Sequence, residues 1–236
     1  EISECLVGSE MCIRDRFYGT LLSFAERWTI KMEKSKNLIV LSGTILSIRE
    51  NKKNTVLIVK SKGESKEANV EFVFYDTSVL KGITPKMKVK IRAHGENRKS
   101  EDGFGNAYYV KEFVGDKIEQ QKRMLAPYVT NEAIDATGGY PRDTNVVLYI
   151  GTVRHVYCPT NELTILTIKI PNQDKSNQVE ICCFASQAEA ARNLKIGDAV
   201  AAAGYITSNT RSVNDRVEFR QSVVCRDISQ IDGVLG

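Results

Sequence analysis

The stretch Asn37-Leu-Ile-Val-Leu-Ser-Gly43 has a similar counterpart about 108–110 residues later, Asn145-Val-Val-Leu-Tyr-Ile-Gly151. A similar spacing relates Val70-Glu-Phe-Val-Phe-Tyr75 to Val179-Glu-Ile-Cys-Cys-Phe184. A third pair consists of two runs that begin with lysine and end with glycine, at Lys86–Gly95 and Lys195–Gly204. A fourth relates residues 109–118 to residues 219–228. These pairs predict that the protein contains two copies of one structural unit.

The repeated segments alternate between apolar and polar residues, which is typical of half-buried β-strands. In the third strand of each copy, the alternation predicts three core residues: Val70, Phe72 and Phe74 in the first copy, and Val179, Ile181 and Cys183 in the second. The residues between and after them, Glu71, Val73, Tyr75, Glu180, Cys182 and Phe184, are predicted to face outward. A mid-strand glycine, Gly43 or Gly151, favours a bulge or sharp bend in the first strand of each copy.

A short helix is predicted between the third and fourth strands. In the second copy, Ser186-Gln-Ala-Glu189 has the pattern of a capping box and predicts a helix over Gln187–Leu194. The first copy has only Asp76–Leu80 there, so its helix should be shorter or absent. Five strands with a helix between the third and fourth are typical of the OB-fold. We therefore predict an all-β protein with short helices, built of two tandem OB-fold five-stranded Greek-key barrels. Too few strands are predicted in each unit for an immunoglobulin-like sandwich.

The repeat divides the chain into four parts. We predict a first OB-fold over residues 32–119, a linker over 120–144 with a helical piece near Glu119–Leu125, and a second OB-fold over 145–236. Residues 1–31 differ from the rest of the chain, since residues 1–16 have neither a strand nor a helix period, and we expect residues 1–31 to lie outside the core. Their first part resembles translated sequencing-adapter DNA, with Met32 as the natural start. The alternative is a genuine N-terminal arm.

Composition narrows the function classes. The chain has 33 Lys and Arg against 29 Asp and Glu, and residues 32–119 hold most of the basic surplus. No run of eighteen apolar residues occurs, so no membrane span is expected. The six cysteines show no paired metal-ligand spacing, which favours a reducing, cytoplasmic setting, and no metal or other cofactor is predicted. With two separated histidines, no phosphate-binding loop and no cluster of carboxylates, we predict that the protein is not an enzyme.

An OB-fold binds ligands on its outer face around the second and third strands, and this surface suits single-stranded nucleic acid. Tyr75 and Phe184 end the third strands at equivalent positions and are predicted to face outward, where they could stack on bases. The alternative is that each ring packs under the helix that follows it.

Basic residues near this face are candidates to neutralise phosphates. In the first unit they come with two further aromatic residues from the predicted loop between strands 4 and 5, and the set is Arg49, Lys60, Lys62, Arg92, Arg98, Lys99, Phe104 and Tyr108. In the second unit the candidates are Arg154, Lys169 and Arg211. Arg92 belongs to a cationic row, Lys86, Lys88, Lys90, Arg92 and His94, which either contacts phosphates or protects an edge strand from aggregation. Ala201 and Ala203 suggest a packing interface instead.

The second unit resembles the bacterial single-stranded-DNA-binding protein family. The resemblance rests on the stretches Asn145–Gly151, Val179–Glu189, Leu194–Asp198 and Gly204–Ile206. It implies that Phe184 takes the place of the family's base-stacking aromatic, and the internal repeat extends that role to Tyr75. Four barrels form the family's usual platform, so two barrels per chain imply a homodimer. The sequence ends at Gly236 without the acidic tail through which the family recruits replication and repair enzymes, so either such recruitment is doubtful or the chain is truncated.

Two main function classes follow. The first is non-catalytic binding of single-stranded DNA in replication, recombination or repair, by base stacking and phosphate neutralisation. The second is an OB-fold scaffold for protein assembly. Single-stranded RNA is a close variant of the first class, because no residue is recognisable as a reader of the 2′-hydroxyl.

Overall fold

The computed structural model describes residues 36–62, 67–101, 105–122, 143–171, 176–213 and 216–231. Its first five strands and a 3-10 helix follow the predicted order: β1 (Lys36–Glu50), β2 (Thr55–Lys62), β3 (Glu67–Phe74), the 3-10 helix (Thr77–Leu80), β4 (Lys88–Glu101) and β5 (Ala107–Gln120). Strand β1 pairs with both β2 and β4, β3 pairs with β2, and a parallel contact between β3 and β5 completes the circuit. The result is a closed five-stranded barrel, which we call the first barrel.

The second copy repeats this arrangement with one α-helix. Its elements are β6 (Asn145–Thr160), β7 (Leu163–Pro171), β8 (Ser176–Phe184), α1 (Ser186–Arg192), β9 (Ala199–Val213) and β10 (Arg216–Gln230). The circuit runs through β6, β7, β8, β10 and β9 and returns to β6, again with a parallel contact between the third and fifth strands. The predicted fold class, all-β with tandem OB-folds, is confirmed.

In both barrels, every second strand residue points inward, and these residues fill the interior. The third-strand residues predicted to face the core, from Val70 to Phe74 and from Val179 to Cys183, are at most 3% exposed. One outward assignment gives no exposed side chain, because Val73 is only 5% exposed. It lies between Val56 and Val114 on the neighbouring strands, and these two valines are buried as well, at 6% and 7% exposure.

The first strand of each barrel needs a glycine because another backbone crosses it closely. A Cβ on Gly43 would lie 2.2 Å from the carbonyl oxygen of Lys60, and one on Gly151 would lie 2.3 Å from that of Lys169. Each strand then shifts register just beyond its glycine, after Ile45 in β1 and after Val153 in β6. The predicted bulge in the first strand of each copy is confirmed. It bends the strand, so that one part of the strand pairs with one neighbour and the next part pairs with another, as a small barrel requires.

The two barrels share one ten-stranded sheet, because β1 pairs with β6 in antiparallel register from Lys36–Ile150 to Leu41–Asn145. Ile39 lies opposite Val147, and these two residues occupy equivalent positions in the repeat. A local pseudo-two-fold axis therefore passes through this pair. The same symmetry relates two further contacts between the barrels: Gln221 bonds the backbone of Glu71, and Lys111 forms an ion pair with Glu180.

Several details of the sequence interpretation are wrong. Helix α1 starts one residue earlier than the capping box predicts, since the carbonyl of Ala185 accepts from the amides of Ala188 and Glu189, and no side chain caps it. The predicted helix near Glu119–Leu125 does not begin there, because β5 continues to Gln120; residues 123–142 lie outside the described part.

The predicted equivalence of Gly95 and Gly204 is also wrong. Ala93 lies opposite Ile39 and Gly204 lies opposite Val147, so Gly204 corresponds to Ala93. The two glycines meet different demands. A Cβ on Gly204 would touch the carbonyl oxygen of Val224, whereas one on Gly95 would touch the Tyr149 hydroxyl.

Candidate nucleic-acid interface

Tyr75 and Phe184 occupy equivalent positions immediately after β3 and at the end of β8. Their side chains are 39% and 47% exposed, respectively, as the alternation predicts. The alternative, in which each ring packs under the following helix, is wrong for Phe184, because helix α1 turns Ala188 and Ala191 inward and leaves the ring on the surface. Each barrel therefore presents one aromatic ring at the same place.

The ring of Tyr75 is held by two charged neighbours from the β4–β5 hairpin. Its hydroxyl donates a 2.8 Å hydrogen bond to Oε2 of Glu112, and Nη2 of Arg98 donates a 3.1 Å bond to Oε1 of the same carboxylate. The Arg98 guanidinium also lies 6.0 Å from the ring centroid, at the limit of a cation–π contact. Partial burial, together with the bond to Glu112, raises the pKa of the Tyr75 hydroxyl.

The ring of Phe184 belongs to an open apolar face on β6, β7 and β8. Leu163 lies opposite it, and Ile165 lies between Cys182 and Tyr157 one row further along. Strand spacings place the Cα atoms of Tyr157 and Phe184 about 12 Å apart. Tyr157 is 54% exposed, so this face carries two accessible aromatic rings.

Sequence reasoning missed Tyr157. The register shift between Val153 and His155 moves the alternation of β6 by one residue, so that Tyr157 faces outward with His155. In the repeat, Tyr157 corresponds to Arg49. Because the first copy has no aromatic residue at this position, a comparison of the two copies does not identify Tyr157 as a candidate. The signal that could have found it is the predicted bulge beside Gly151, since a bulge changes which residues face the solvent.

Several candidate cations of the first barrel form ion pairs with carboxylates of their own barrel. Lys60 lies 2.7 Å and Lys62 lies 3.7 Å from Glu67, and Arg49 lies 4.0 Å from Glu71. The hydrogen bond from Lys60 lowers the pKa of Glu67. These surface pairs are individually weak, so a phosphate could exchange for a carboxylate in each.

The predicted flexible loop between strands 4 and 5 is largely a two-stranded ribbon. Strand β4 continues to Glu101 and β5 begins at Ala107, so Arg98, Lys99 and Tyr108 lie in paired strands, not in a loop. Phe104 lies outside the described residues. The ladder continues because the segment contains no proline and pairs its backbone groups. In the second barrel, Arg211 also lies in a paired strand, opposite Glu218 in the β9–β10 ladder.

Arg92 lies apart from the Tyr75 cluster. It is six residues from Arg98 along β4, or about 20 Å. It lies opposite Val40 of β1, on the same side of the shared sheet as Lys90. Strand β4 is bonded on both sides, so the interpretation of its cationic row as edge protection is wrong. The row is also partly neutralised: Lys88 lies 2.6 Å from the buried Asp143, and His94 Nδ1 lies 2.8 Å from Asp116.

The candidate cations of the second barrel differ from those of the first. Arg154 and Lys169 are both exposed, and within the described residues neither forms an ion pair with a carboxylate. Lys169 lies on the outer side of β7, in line with Thr167, Ile165 and Leu163. This outer row of β7 therefore leads from the apolar residues beside the aromatic rings to a cation, past Glu180 and His155 on the flanking strands.

The described residues contain no group of three or more histidine, cysteine or acidic side chains that could hold a metal ion. Among the same residues, no helix is long and apolar enough to cross a membrane.

Fold and face together define an all-β protein of two OB-fold barrels with an exposed aromatic on each. No family model and no curated protein sequence matches the chain. The wild-type single-stranded DNA binding protein from Thermus aquaticus is similar in structure, with a TM-score of 0.56 and 14% identity over 84% of this chain and 93% of that chain. A deletion mutant of the same protein gives a TM-score of 0.55 and 15% identity, over 84% of this chain and 96% of that chain. These similarities show that the tandem OB-fold is shared. Rim1, a mitochondrial single-stranded DNA binding protein from S. cerevisiae, gives a TM-score of 0.29 and 13% identity over 35% of this chain and 92% of that chain.

Proposed function

We propose that this protein binds single-stranded DNA without catalysing a reaction. The observation that carries the proposal is the pair of exposed rings, Tyr75 and Phe184, at equivalent places on two OB-fold barrels. Aromatic rings on such a face stack on unpaired bases of any sequence, because every base offers a π-face. Replication, recombination and repair are the processes that would supply this ligand.

Base stacking and phosphate neutralisation would both contribute to the affinity for single-stranded DNA. Phe184 and Tyr157 offer two rings on the second barrel, and Tyr75 offers one on the first. The phosphates would meet the basic candidates of the two barrels: Arg49, Lys60, Lys62, Arg98, Arg154 and Lys169, with Lys99 and Arg211 on the β4–β5 and β9–β10 ladders and Arg92 farther along β4. We also propose Phe104 and Tyr108 as further stacking rings of the first barrel.

Fluorescence anisotropy with labelled oligo-dT tests the proposal. Phe184→Ala should weaken binding by about 1–3 kcal/mol, the usual worth of one stacked base, which is roughly 5- to 150-fold. Ile196→Ala is the matched control, because Ile196 is 68% exposed but lies in the turn before β9, off the aromatic face. Absence of binding by the wild-type protein at low salt would refute the proposal. Oligo-rU in parallel decides between DNA and RNA.

We further propose a homodimer that packs through the shared sheet. On its outer side, Val146 is 48% exposed next to Leu148, and the neighbouring strand β9 contributes the small residues Ala201 and Ala203. The small and apolar residues of β6 and β9 form a patch that suits packing against a second copy of the chain, and Lys90 and Arg92 on β4 lie at its side. Light scattering should give twice the chain mass of 26.4 kDa. Val146→Glu should give monomers, and Ile196→Glu should not.

The same surface supports the second candidate function, a scaffold for protein assembly. A protein that forms dimers through Val146 but binds no oligonucleotide would favour the scaffold over the DNA-binding proposal. For localisation, we propose the cytoplasm. The four described cysteines are all free thiols, which a reducing compartment maintains.

A further inference from the structure

The two aromatic positions differ in their surroundings, although the barrels repeat one plan. On the first barrel, Tyr75, Arg98 and Glu112 form a bonded cluster that we call the Tyr75 latch. The Glu112 side chain is only 11% exposed, and Glu96 lies directly opposite it in the β4–β5 ladder. Two carboxylates thus face each other beside the ring, an arrangement that is unfavourable without a cation between them.

The second barrel has no carboxylate at these positions. The parallel pairs Val73–Val114 and Cys182–Val224 fix the equivalence of β5 and β10, which places Ser222 at the position of Glu112. Thr207, opposite Ser222, then corresponds to Glu96, and Asn209 corresponds to Arg98. These are uncharged residues, and Phe184 has no hydroxyl with which to bond them.

Glu112 holds its partners as a phosphate group would. Each of its two oxygens accepts one bond, from a tyrosine hydroxyl and from a guanidinium, and both donors are groups that bind phosphate oxygens. A strand approaching the first barrel therefore meets a ring and a cation that are already engaged, with a second carboxylate alongside.

We propose that Glu112 is an internal competitor for the DNA phosphate, so that a strand engages the second barrel first and the first barrel only by displacing Glu112. This inference rests on the proposed function and adds an order of engagement to it. Arg98 releases no counterion while it remains paired with Glu112, so the latch should also reduce the salt dependence of binding.

Glu112→Gln keeps the shape of the side chain and removes its charge. The matched control is Glu119→Gln, which removes one acidic charge from the same strand, where Glu119 pairs with Lys117 away from the latch. For oligo-dT, Glu112→Gln should steepen the salt dependence by about 0.7 in log–log slope, which corresponds to about 3-fold more gain in affinity as salt falls from about 0.3 M to about 0.05 M. Glu119→Gln should leave the slope close to that of the wild-type protein.

Two further variants test the order of engagement. In the wild-type background, Phe184→Ala should cost more affinity for a short oligonucleotide than Tyr75→Ala does, and the cost of Tyr75→Ala should rise in the Glu112→Gln background. Tyr75→Phe, which keeps the ring but frees Oε2 of Glu112, should move affinity in the same direction as Glu112→Gln, with a smaller amplitude. Circular dichroism verifies that each variant is folded.

The outcomes separate the two proposals. If neither the wild-type protein nor any variant binds oligo-dT, the proposed function is refuted, and the proposal about the Tyr75 latch is refuted with it. If the wild-type protein binds, but Glu112→Gln binds no more tightly and with no steeper slope than Glu119→Gln, only the latch is overturned.

Discussion

Asp143 ties the segment before β6 to the first barrel, and its removal should be costly. Its side chain is 2% exposed and accepts two bonds, at 2.6 Å from Nζ of Lys88 and at 2.8 Å from the backbone amide of Lys62. Asp143→Asn keeps an oxygen for the amide but leaves the Lys88 ammonium, which is 20% exposed, without its counter-charge. Breaking a buried ion pair costs roughly 3–5 kcal/mol, and the partial exposure of Lys88 places the expected loss at about 3 kcal/mol.

A double-mutant cycle measured by urea unfolding tests this reasoning. Lys88→Met removes the ammonium and keeps the length of the side chain. In the Asp143→Asn background it should restore part of the lost stability, because no unpaired charge then remains, with a coupling energy of about 1–3 kcal/mol. If the two single losses simply add, Asp143 and Lys88 do not stabilise the fold through their charges.

Three more predictions concern single positions. Lys86 has φ +70° where the second barrel has Gly197. Lys86→Gly should therefore raise the free energy of unfolding by about 0.5–1 kcal/mol, which is the cost of the left-handed conformation minus the entropy cost of glycine. A lower free energy of unfolding in a urea titration would contradict this. The bond to Asp116 raises the pKa of His94, so its stabilisation is complete below about pH 6.5 and declines as pH rises through the folded value. Unfolding at pH 6 and pH 8 should show that difference, and His94→Gln should remove it. Tyr157→Ala should weaken oligo-dT binding by about 1–3 kcal/mol, and an unchanged anisotropy titration would exclude the ring from the interface.

The fold was predictable because its signals are local. Period-2 alternation identified the inward faces of β3 and β8, and Gly43 and Gly151 marked the irregular first strands. The register shift next to Gly151 was expected, but its consequence for Tyr157 was not drawn, because alternation was not followed past the bulge.

The surroundings of the candidate site were not predictable in the same way. Glu112 is 37 residues from Tyr75 and 14 from Arg98, and only the closed barrel brings these side chains together. The carboxylates that neutralise Arg49 and Lys60 likewise come from a different strand, β3, which is next to the strand of Lys60 and one strand further from that of Arg49. A sequence count of basic residues therefore overstated how many cations the first barrel offers to a ligand.

The antiparallel register that places Ile39 opposite Val147 covers one free edge with another inside a single polypeptide. In an assembly of identical subunits, any substitution appears at both symmetry-related places at once. Here each half is encoded separately, so a mutation can alter one face and spare its counterpart. Because the two barrels are joined in one chain, they can differ in sequence and in function while the symmetric β1–β6 pairing between them is kept.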